Sequence, residues 1–447
     1  MTSDKILVLL VGTNPLPNYV VAKYLEEEYN RLVLICSEKT KHQQGTIVFA
    51  KNIIESLGIT FHNTKILPIR DISSPKEIIR TLQENKEVFG DKNNKIILNY
   101  TGGTKAMAVY TYSFLKEEYE EFTASYLDAR TFRLVYDDST VEPIEGNLLD
   151  KIKIDIKTLL DLHNYEVLEL KSWENCKFKN TVELITEKLA SKPNFLYNFL
   201  YWINKMLRKF FRNEHGIIKR YTEFKGNLRQ RGLNFEVFEE KIKGDIKEIL
   251  DTMILELNSE LKNQKGTYKN DIKNAEQFCR ELMSETTNKS FLFNKVVTPI
   301  IDFLDGKWLE WYTYHGIKST LEQHGLEEGK HFGISLRAKN YQMSTDFELD
   351  IFILNGYQLT GISVTTVDKR ALCKSKGFEV LHRVKQMGGE ESRAILISAL
   401  GYSSPNEPLD LEKDLTLVSG SSNGSISVFG FKDLKKIKDE IIKKVFS

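Results

Sequence analysis

Residues 94–110, NKIILNYTGGTKAMAVY, decide the fold of the N-terminal third of this chain. Residues 95–100 (KIILNY) are predicted to form a strand, which leads through the loop 101–105 (TGGTK) into a predicted helix. Glycine lets a backbone approach a ligand closely, and the N-terminus of a helix attracts phosphate. Thr104 adds a hydroxyl and Lys105 a positive charge. The loop therefore predicts a phosphate site, although a glycine-rich helix cap without a ligand explains it too.

The loop does not match the standard phosphate-binding motifs. GxxxxGK[ST] would need glycine where Asn99 and Thr104 stand, and GxGxxG is absent. The motif alone therefore does not name the ligand.

Outward from this loop, strand and helix patterns alternate through the first 140 residues. Strands are predicted at 6–11, 31–36, 65–69, 95–100, 123–128 and 132–137, and helices at 17–29, 46–57, 75–89 and 105–118. Repeated strand–helix units predict a parallel, doubly wound sheet. Ligands bind such sheets at the carboxyl ends of the strands, where the loop 12–17 (GTNPLP) also lies.

The loops 12–17 and 99–105 together resemble those of CARF domains, over about residues 4–140. These are the Rossmann-like sensor domains of type III CRISPR ancillary effectors. The resemblance implies a homodimer that binds one cyclic oligoadenylate, with a four- or six-membered ring, across its two-fold axis. A further, weaker candidate loop is 37–40, which a solvated loop explains equally well. The implied ligand-binding residues are Gly12, Thr13, Asn14, Thr101, Gly102, Gly103, Thr104 and Lys105.

A second α/β pattern follows residue 296 and carries acidic residues. Glu310 lies in a predicted helix rich in Trp and Tyr, and Glu348 and Asp350 share one face of the predicted strand 347–354. An Asn-Gly turn leads to the paired strand 358–365. Carboxylates on adjacent elements are the ligands that Mg²⁺ or Mn²⁺ needs for phosphodiester cleavage.

This order of elements resembles the PD-(D/E)xK nuclease core, which is restriction-endonuclease-like, over about residues 297–400. The resemblance implies a divalent metal, Mg or Mn, held by Glu310 and Asp350. It also implies Glu-x-Lys on the second strand, where this chain has Ser363-Val364-Thr365. One usual carboxylate and the usual lysine are therefore missing from that strand.

Other residues of the chain could replace the missing glutamate and lysine in two ways. The hydroxyls of Ser363 and Thr365 could hold water on the metal, and a lysine could reach in from the following helix. Of Lys369, Lys374 and Lys376, we favour Lys376, because Glu379, Arg383 and Gln386 stand at its helical spacings. A solvated lysine face on a catalytically inactive domain is the other interpretation.

The region between the two α/β patterns shows helical periodicity with few strands. Basic and aromatic residues interleave in it, which suits single-stranded nucleic acid but also an ordinary core with a solvated face. The basic residues are Lys205, Arg208, Lys209, Arg212, Lys219, Arg220, Lys225, Arg229 and Arg231. We predict a CARF sensor domain at 1–145, a helical connector at 146–295 and a nuclease domain at 296–447.

Composition limits the function classes. The 447 residues include 63 Lys+Arg and 62 Asp+Glu, so the net charge of +1 excludes a uniformly basic nucleic-acid-coating protein. No apolar run is long enough for a membrane helix, and the four scattered cysteines indicate neither a zinc site nor a disulfide framework. We expect a cytoplasmic protein with no membrane partner.

The prediction is a cyclic-oligoadenylate-activated, metal-dependent nuclease that cleaves RNA or DNA in type III CRISPR antiviral defence. Two alternatives stay open at this point. The nuclease domain could be a degenerate, ligand-regulated nucleic-acid binder, or the sensor domain could itself degrade its cyclic ligand.

Overall fold

The computed structural model describes residues 4–43, 45–59, 63–138, 146–263, 272–284, 289–341, 346–402, 404–420 and 424–446. Two six-stranded sheets and a helical region between them form the described part. None of the described helices combines the length and apolar character that a bilayer crossing requires.

The first sheet has the predicted Rossmann-like architecture. Its strands are β1 (Lys5–Leu10), β2 (Arg31–Ser37), β3 (Thr64–Ile69), β4 (Lys95–Asn99), β5 (Phe122–Asp128) and β6 (Arg133–Tyr136). The helices between them are α1 (Leu16–Tyr24), α2 (Ile47–Leu57), α3 (Pro75–Glu84) and α4 (Lys105–Glu118). The strand order is β3-β2-β1-β4-β5-β6, and only the last pairing is antiparallel. Residues 6–10 are fully buried because helices cover both faces.

The helical region is interrupted by a long strand. Its first elements are α5 (Leu148–Lys151), α6 (Ile156–Leu162), β7 (Tyr165–Lys171), α7 (Lys179–Ser191), α8 (Phe195–Trp202) and α9 (Arg208–Phe211). They are followed by β8 (Arg212–Asn213), β9 (Gly216–Ile217), α10 (Tyr221–Gln230), α11 (Phe235–Glu240), α12 (Asp245–Asn263), α13 (Ala275–Met283), α14 (Lys289–Leu292), α15 (Thr298–Asp302) and α16 (Trp308–Gln323). The π-helical segments Phe293–Val297 and Phe303–Lys307 join α14, α15 and α16.

The second sheet completes the described fold. Its other elements are β10 (Phe332–Asn340), β11 (Asp346–Asn355), β12 (Gln358–Thr365), α17 (Arg370–Gly388), β13 (Arg393–Ser398), α18 (Glu407–Ser419), β14 (Ile426–Phe429) and α19 (Ile437–Val445). The strand order is β14-β13-β12-β11-β10-β7, with β12, β13 and β14 parallel and the remaining pairs antiparallel. This mixed sheet, with the hairpin β11–β12 at its centre, has the order of helix, strand, hairpin and helix that the sequence predicted.

The expectation that residues 146–295 are helical is wrong at β7. This strand is the edge of the second sheet, where it pairs with β10. Glu166, Val167 and Leu168 are exposed, so β7 lacks the buried apolar pattern that marks an interior strand. The strand is defined by its partner across the sheet and not by its own sequence.

The two faces of the second sheet bury different helices. Ile351 and Val364 cluster with Trp308 and Leu309 of α16. Leu349 and Leu359 belong to a second cluster, with Val380 and Val384 of α17. That second cluster continues into the first domain and includes α1 and α6 side chains, so the two domains share one apolar core. A movement of the first domain would therefore displace side chains that pack against α17.

Candidate ligand pocket and carboxylate site

An open cavity of about 1090 Å³ lies at the carboxyl ends of β2, β3 and β4. The loops after β2 and β3 and the first turns of α3 and α4 line it. Its cationic side chains are Lys41, Arg70, Arg80 and Lys105, against the acidic Asp71 and Glu77. A cavity of this size and charge, beside a helix N-terminus, suits an anionic nucleotide.

The glycines of the TGGTK loop are explained by packing against the end of β1. A Cβ on Gly102 would lie 2.1 Å from the carbonyl oxygen of Leu10, and Gly103 has a φ of 72°. A Cβ on Gly12 would lie 3.0 Å from the backbone nitrogen of Gly103. These glycines let the two loops cross closely, and their contact with a ligand stays a prediction.

Some side chains of the same loop make hydrogen bonds within the protein, and others line the cavity. The Thr101 hydroxyl accepts a hydrogen bond from the Leu127 backbone N–H at 2.7 Å. The Thr104 hydroxyl accepts from the Met107 N–H at 3.2 Å and so caps α4. Lys105 is exposed on the pocket wall. Of this loop, the Lys105 side chain and the first turn of α4 are therefore available to a ligand.

The side chain of Asn14 lies away from the large cavity, and its predicted ligand role stays a prediction. With Thr13, it lines a separate cavity of about 290 Å³ between the two domains. Its Oδ1 accepts from the Leu16 N–H at 3.1 Å and lies 3.2 Å from Nε2 of the buried His163. A Cβ on Gly389, just after α17, would be 2.3 Å from Asn14 Nδ2. The side chain is held at the domain interface by these neighbours.

Sequence reasoning missed several residues of the pocket region. Lys41 and Arg70 lie in loops that carry no recognisable motif, and only the parallel order of β2, β3 and β4 brings them to Lys105. Asn18, fully buried on α1, donates to the Leu10 carbonyl at 3.0 Å and lies beside Gly102. A polar residue in an apolar helix was the one available signal for Asn18.

Asp350 is the centre of the second site, on β11. Its Oδ2 accepts hydrogen bonds from the Val364 N–H at 2.6 Å and the Ser363 hydroxyl at 3.2 Å. Both contacts confirm the register that placed Ser363-Val364-Thr365 opposite Asp350. The Thr365 hydroxyl is instead turned to the end of β12, where it accepts from the Val367 N–H at 3.3 Å. Ser363 therefore contacts the carboxylate, and Thr365 holds the strand end.

Glu310, on the first turn of α16, faces the same cleft. Burial and the negative charge of Asp350 raise the pKa of Glu310 well above its usual value. Burial also raises the pKa of Asp350, opposed by the Val364 N–H and by Lys376. Two carboxylates that share a poorly solvated cleft in this way favour a bound cation or a shared proton.

Helix α17 places charged residues near the carboxylates, and the catalytic role of Lys376 stays a prediction. Burial raises the pKa of both Glu310 and Asp350, and the positive charge of the half-buried Lys376 partly opposes this rise. Lys374 instead lies 3.8 Å from Asp414, and Lys369 is the N-cap of the helix. Glu379, one turn beyond Lys376, is close enough to raise the pKa of Asp350.

A distortion in β10 lies opposite Asp350. Ile334 and Leu336 pair with Ile351 and Leu349, so Ser335 between them faces Asp350. Ser335 has a φ of 54°, and the pairing of β10 with β7 is irregular at this point. Such a bulge re-aims side chains and is common next to functional sites. Nothing in the sequence around Ser335 indicated it.

The donor set fits a divalent cation held by two protein carboxylates. Asp350 uses Oδ2 for its described hydrogen bonds, which leaves Oδ1 for a hard cation. Among the described residues, no group of three or more His, Cys, Asp or Glu side chains is arranged to hold a metal. Glu310 and Asp350 would therefore need water to complete the coordination.

Comparisons with known proteins agree with this architecture. Residues 6–154, about a third of the chain, match the family model of the Card1 CARF domain. The whole chain has the fold of protein VC1899 from Vibrio cholerae, with TM-score 0.60, 14% identity, and coverage of 98% of this chain and 97% of that one. It also has the fold of Can2 from Sulfobacillus thermosulfidooxidans, solved in complex with cyclic tetra-adenylate, with TM-score 0.59, 16% identity, and coverage of 99% and 100%. Comparison with curated protein sequences gives no match.

Proposed function

We propose that this chain is a nuclease that a cyclic oligoadenylate switches on, and that it cleaves RNA or DNA with the help of a divalent metal in type III CRISPR antiviral defence. The observation that carries the proposal is the pairing, in one chain, of a domain that matches the CARF family model with the half-buried carboxylates Glu310 and Asp350. A sensor and a site suited to phosphodiester chemistry are thereby linked through one apolar core.

The ligand proposal rests on the cationic pocket. The phosphates of a cyclic oligoadenylate would meet Lys105, Lys41 and Arg70 and the N-terminus of α4. A ring with repeated phosphates suits two copies of this pocket related by a two-fold axis, so we infer a homodimer. The structure of Can2 with cyclic tetra-adenylate supports a ring of this class.

The chemistry proposed for the cleft follows from its side chains. Glu310 and Asp350 would hold a divalent cation, which supplies positive charge that polarises the scissile phosphate and lowers the pKa of an attacking water. The Val364 N–H and the Ser363 hydroxyl favour the ionised form of Asp350 against the effect of burial and orient its carboxylate. Lys376 lies beside both carboxylates and would stabilise the charge that develops on the phosphate.

A route for the signal runs from the β1 loop to α17. The TGGTK loop crosses the β1 loop at Gly12, and the side chain of Asn14 in that loop meets Gly389 at the end of α17. Since α17 also carries Lys376, a ligand that moves the β1 loop would change the position of Lys376. Activation requires that the ring bind the active arrangement more tightly than the resting one.

One observation favours a second candidate, a ligand-regulated nucleic-acid binder without cleavage. The described residues hold no metal-binding group of three acidic or imidazole side chains, and β12 lacks Glu-x-Lys. The two candidates differ in whether the carboxylates are needed for strand scission or only for stability.

The deciding experiment measures cleavage of labelled RNA and DNA with Mn²⁺ and a cyclic oligoadenylate. Asp350→Ala should lower the cleavage rate by about 1000-fold or more and leave ring binding unchanged. The matched control is Asp346→Ala, which removes an exposed aspartate from the same strand. Equal cleavage by wild type and Asp350→Ala would refute the nuclease and leave the binder.

A further inference from the structure

Helix α8 exposes two tyrosines one turn apart. Tyr197 and Tyr201 are 48% and 49% exposed, while Phe195, Leu196, Phe199 and Leu200 on the same helix are buried in the core. Lys205 is exposed about one turn further along. The exposed face of α8 therefore carries two aromatic rings followed by a cation.

A third tyrosine from the second sheet joins this face. The ring of Tyr402, which follows β13, stacks on Tyr197 with centroids 4.7 Å apart and planes 13° apart. Tyr402 also packs edge-on against Phe431, at 5.1 Å and 88°. The position of the Tyr197 ring is thus fixed by its packing against rings from another part of the chain.

The tyrosine face leads toward the carboxylate site. Arg208 continues the same helical run, and its guanidinium donates to Asp305 at 2.6 Å and to the Thr366 hydroxyl at 2.7 Å. Asp305 precedes Glu310 by five residues on one continuous helical run, and Thr366 directly follows β12. One end of the tyrosine face is therefore bound to both elements that border the carboxylates.

The charge of residues 195–212 indicates which class of ligand the exposed face of α8 could bind. Residues 195–212 contain no Asp or Glu and include four cations, Lys205, Arg208, Lys209 and Arg212. Asp305 lies beside Arg208 and Arg212. An exposed aromatic pair followed by cations complements a strand that offers flat bases and a negative backbone. Paired bases in a duplex are covered by their neighbours and cannot lie on such a platform.

We propose that Tyr197, Tyr201 and Tyr402 form a base-stacking surface that binds unpaired bases of a nucleic-acid strand and directs its backbone past Lys205 to the carboxylate site. The direction of the strand rests on the proposed nuclease function, whereas the stacking surface does not.

The test measures binding without cleavage. Full-length protein in an Asp350→Asn background, in EDTA, is titrated into a short labelled single strand and into a duplex of the same sequence. Tyr197→Ala and Tyr201→Ala should each weaken single-strand binding by about tenfold, and Tyr197→Phe and Tyr201→Phe should keep it within about twofold, because phenylalanine retains the ring. Duplex affinity should change by less than about twofold in all four.

The control is Tyr341→Ala, which removes a tyrosine that is 66% exposed at the far end of β10. Unchanged single-strand binding in the Ala variants, equal losses for single strand and duplex, or no nucleic-acid binding by the parent protein would overturn the proposal. Tyrosine-dependent binding in a protein that never cleaves would instead refute the nuclease and keep the stacking surface.

Discussion

The two sheets carry their candidate sites in different physical ways. The pocket of the first sheet lies beyond the ends of parallel strands, where backbone N–H groups and exposed cations such as Lys105 meet a large open cavity. The site of the second sheet lies within a strand, where Glu310, Asp350 and Lys376 converge from a helix, a strand and another helix. A site formed largely by backbone N–H groups, like the pocket, keeps much of its affinity when one side chain is removed. A site formed by a few side chains, like the carboxylate site, loses most of its activity.

After the loss of Asp350, the largest effect is expected at Lys376. Lys376→Ala should lower the ring-stimulated cleavage rate by about 100-fold, because a positive charge that acts on both carboxylates is lost. Single-turnover cleavage measures this loss. Lys374→Ala, two residues earlier and directed to Asp414, should stay within about threefold of wild type. Equal losses in the two variants would assign the effect to helix α17 as a whole.

The next effect is expected in the pocket. Lys105→Ala should weaken binding of the cyclic oligoadenylate by about 10- to 100-fold, since one charged contact to phosphate is removed. Calorimetry measures the affinity, and saturating ring should restore the cleavage rate. Lys116→Ala, at the other end of α4, is the control. A normal affinity in Lys105→Ala would move the ligand away from this pocket.

A smaller effect is expected between the sites. Asn14→Ala should leave ring affinity within about twofold and lower the ring-stimulated rate about fivefold, because the contact with Gly389 and His163 is lost. Affinity and rate are compared on the same preparation, with Asn93→Ala, in the loop before β4, as control. If ring affinity falls and the rate at saturation does not, Asn14 is the ligand residue that the sequence predicted.

The smallest effect is on stability in EDTA. Because the folded state raises the pKa of Glu310, folding with this group ionised costs free energy; the cost is absent at low pH and grows as the pH rises. Glu310→Gln should therefore raise the melting temperature by about 1–2 °C at pH 8 and by less at pH 5. Thermal unfolding at both pH values measures this, and a larger gain at pH 5 would contradict the assignment.

The same contrast explains what could be predicted from the sequence. The TGGTK loop is contiguous, so its residues and its place at a strand end follow from local pattern alone. The pairing of Asp350 with Ser363 followed from a two-residue turn, which fixes register. The edge strand β7, the bulge at Ser335 and the inward turn of Asn14 depend on contacts between distant segments. No local pattern encodes those contacts.

The most direct test of the central claim compares initial cleavage rates of one labelled strand, in Mn²⁺, with and without saturating cyclic tetra- or hexa-adenylate. We predict that one ring raises the rate at least about tenfold and that the same ring binds the protein with an affinity that Lys105→Ala weakens. Tight binding of the ring with no change in rate would contradict the account, because the pocket and the carboxylates would then act independently.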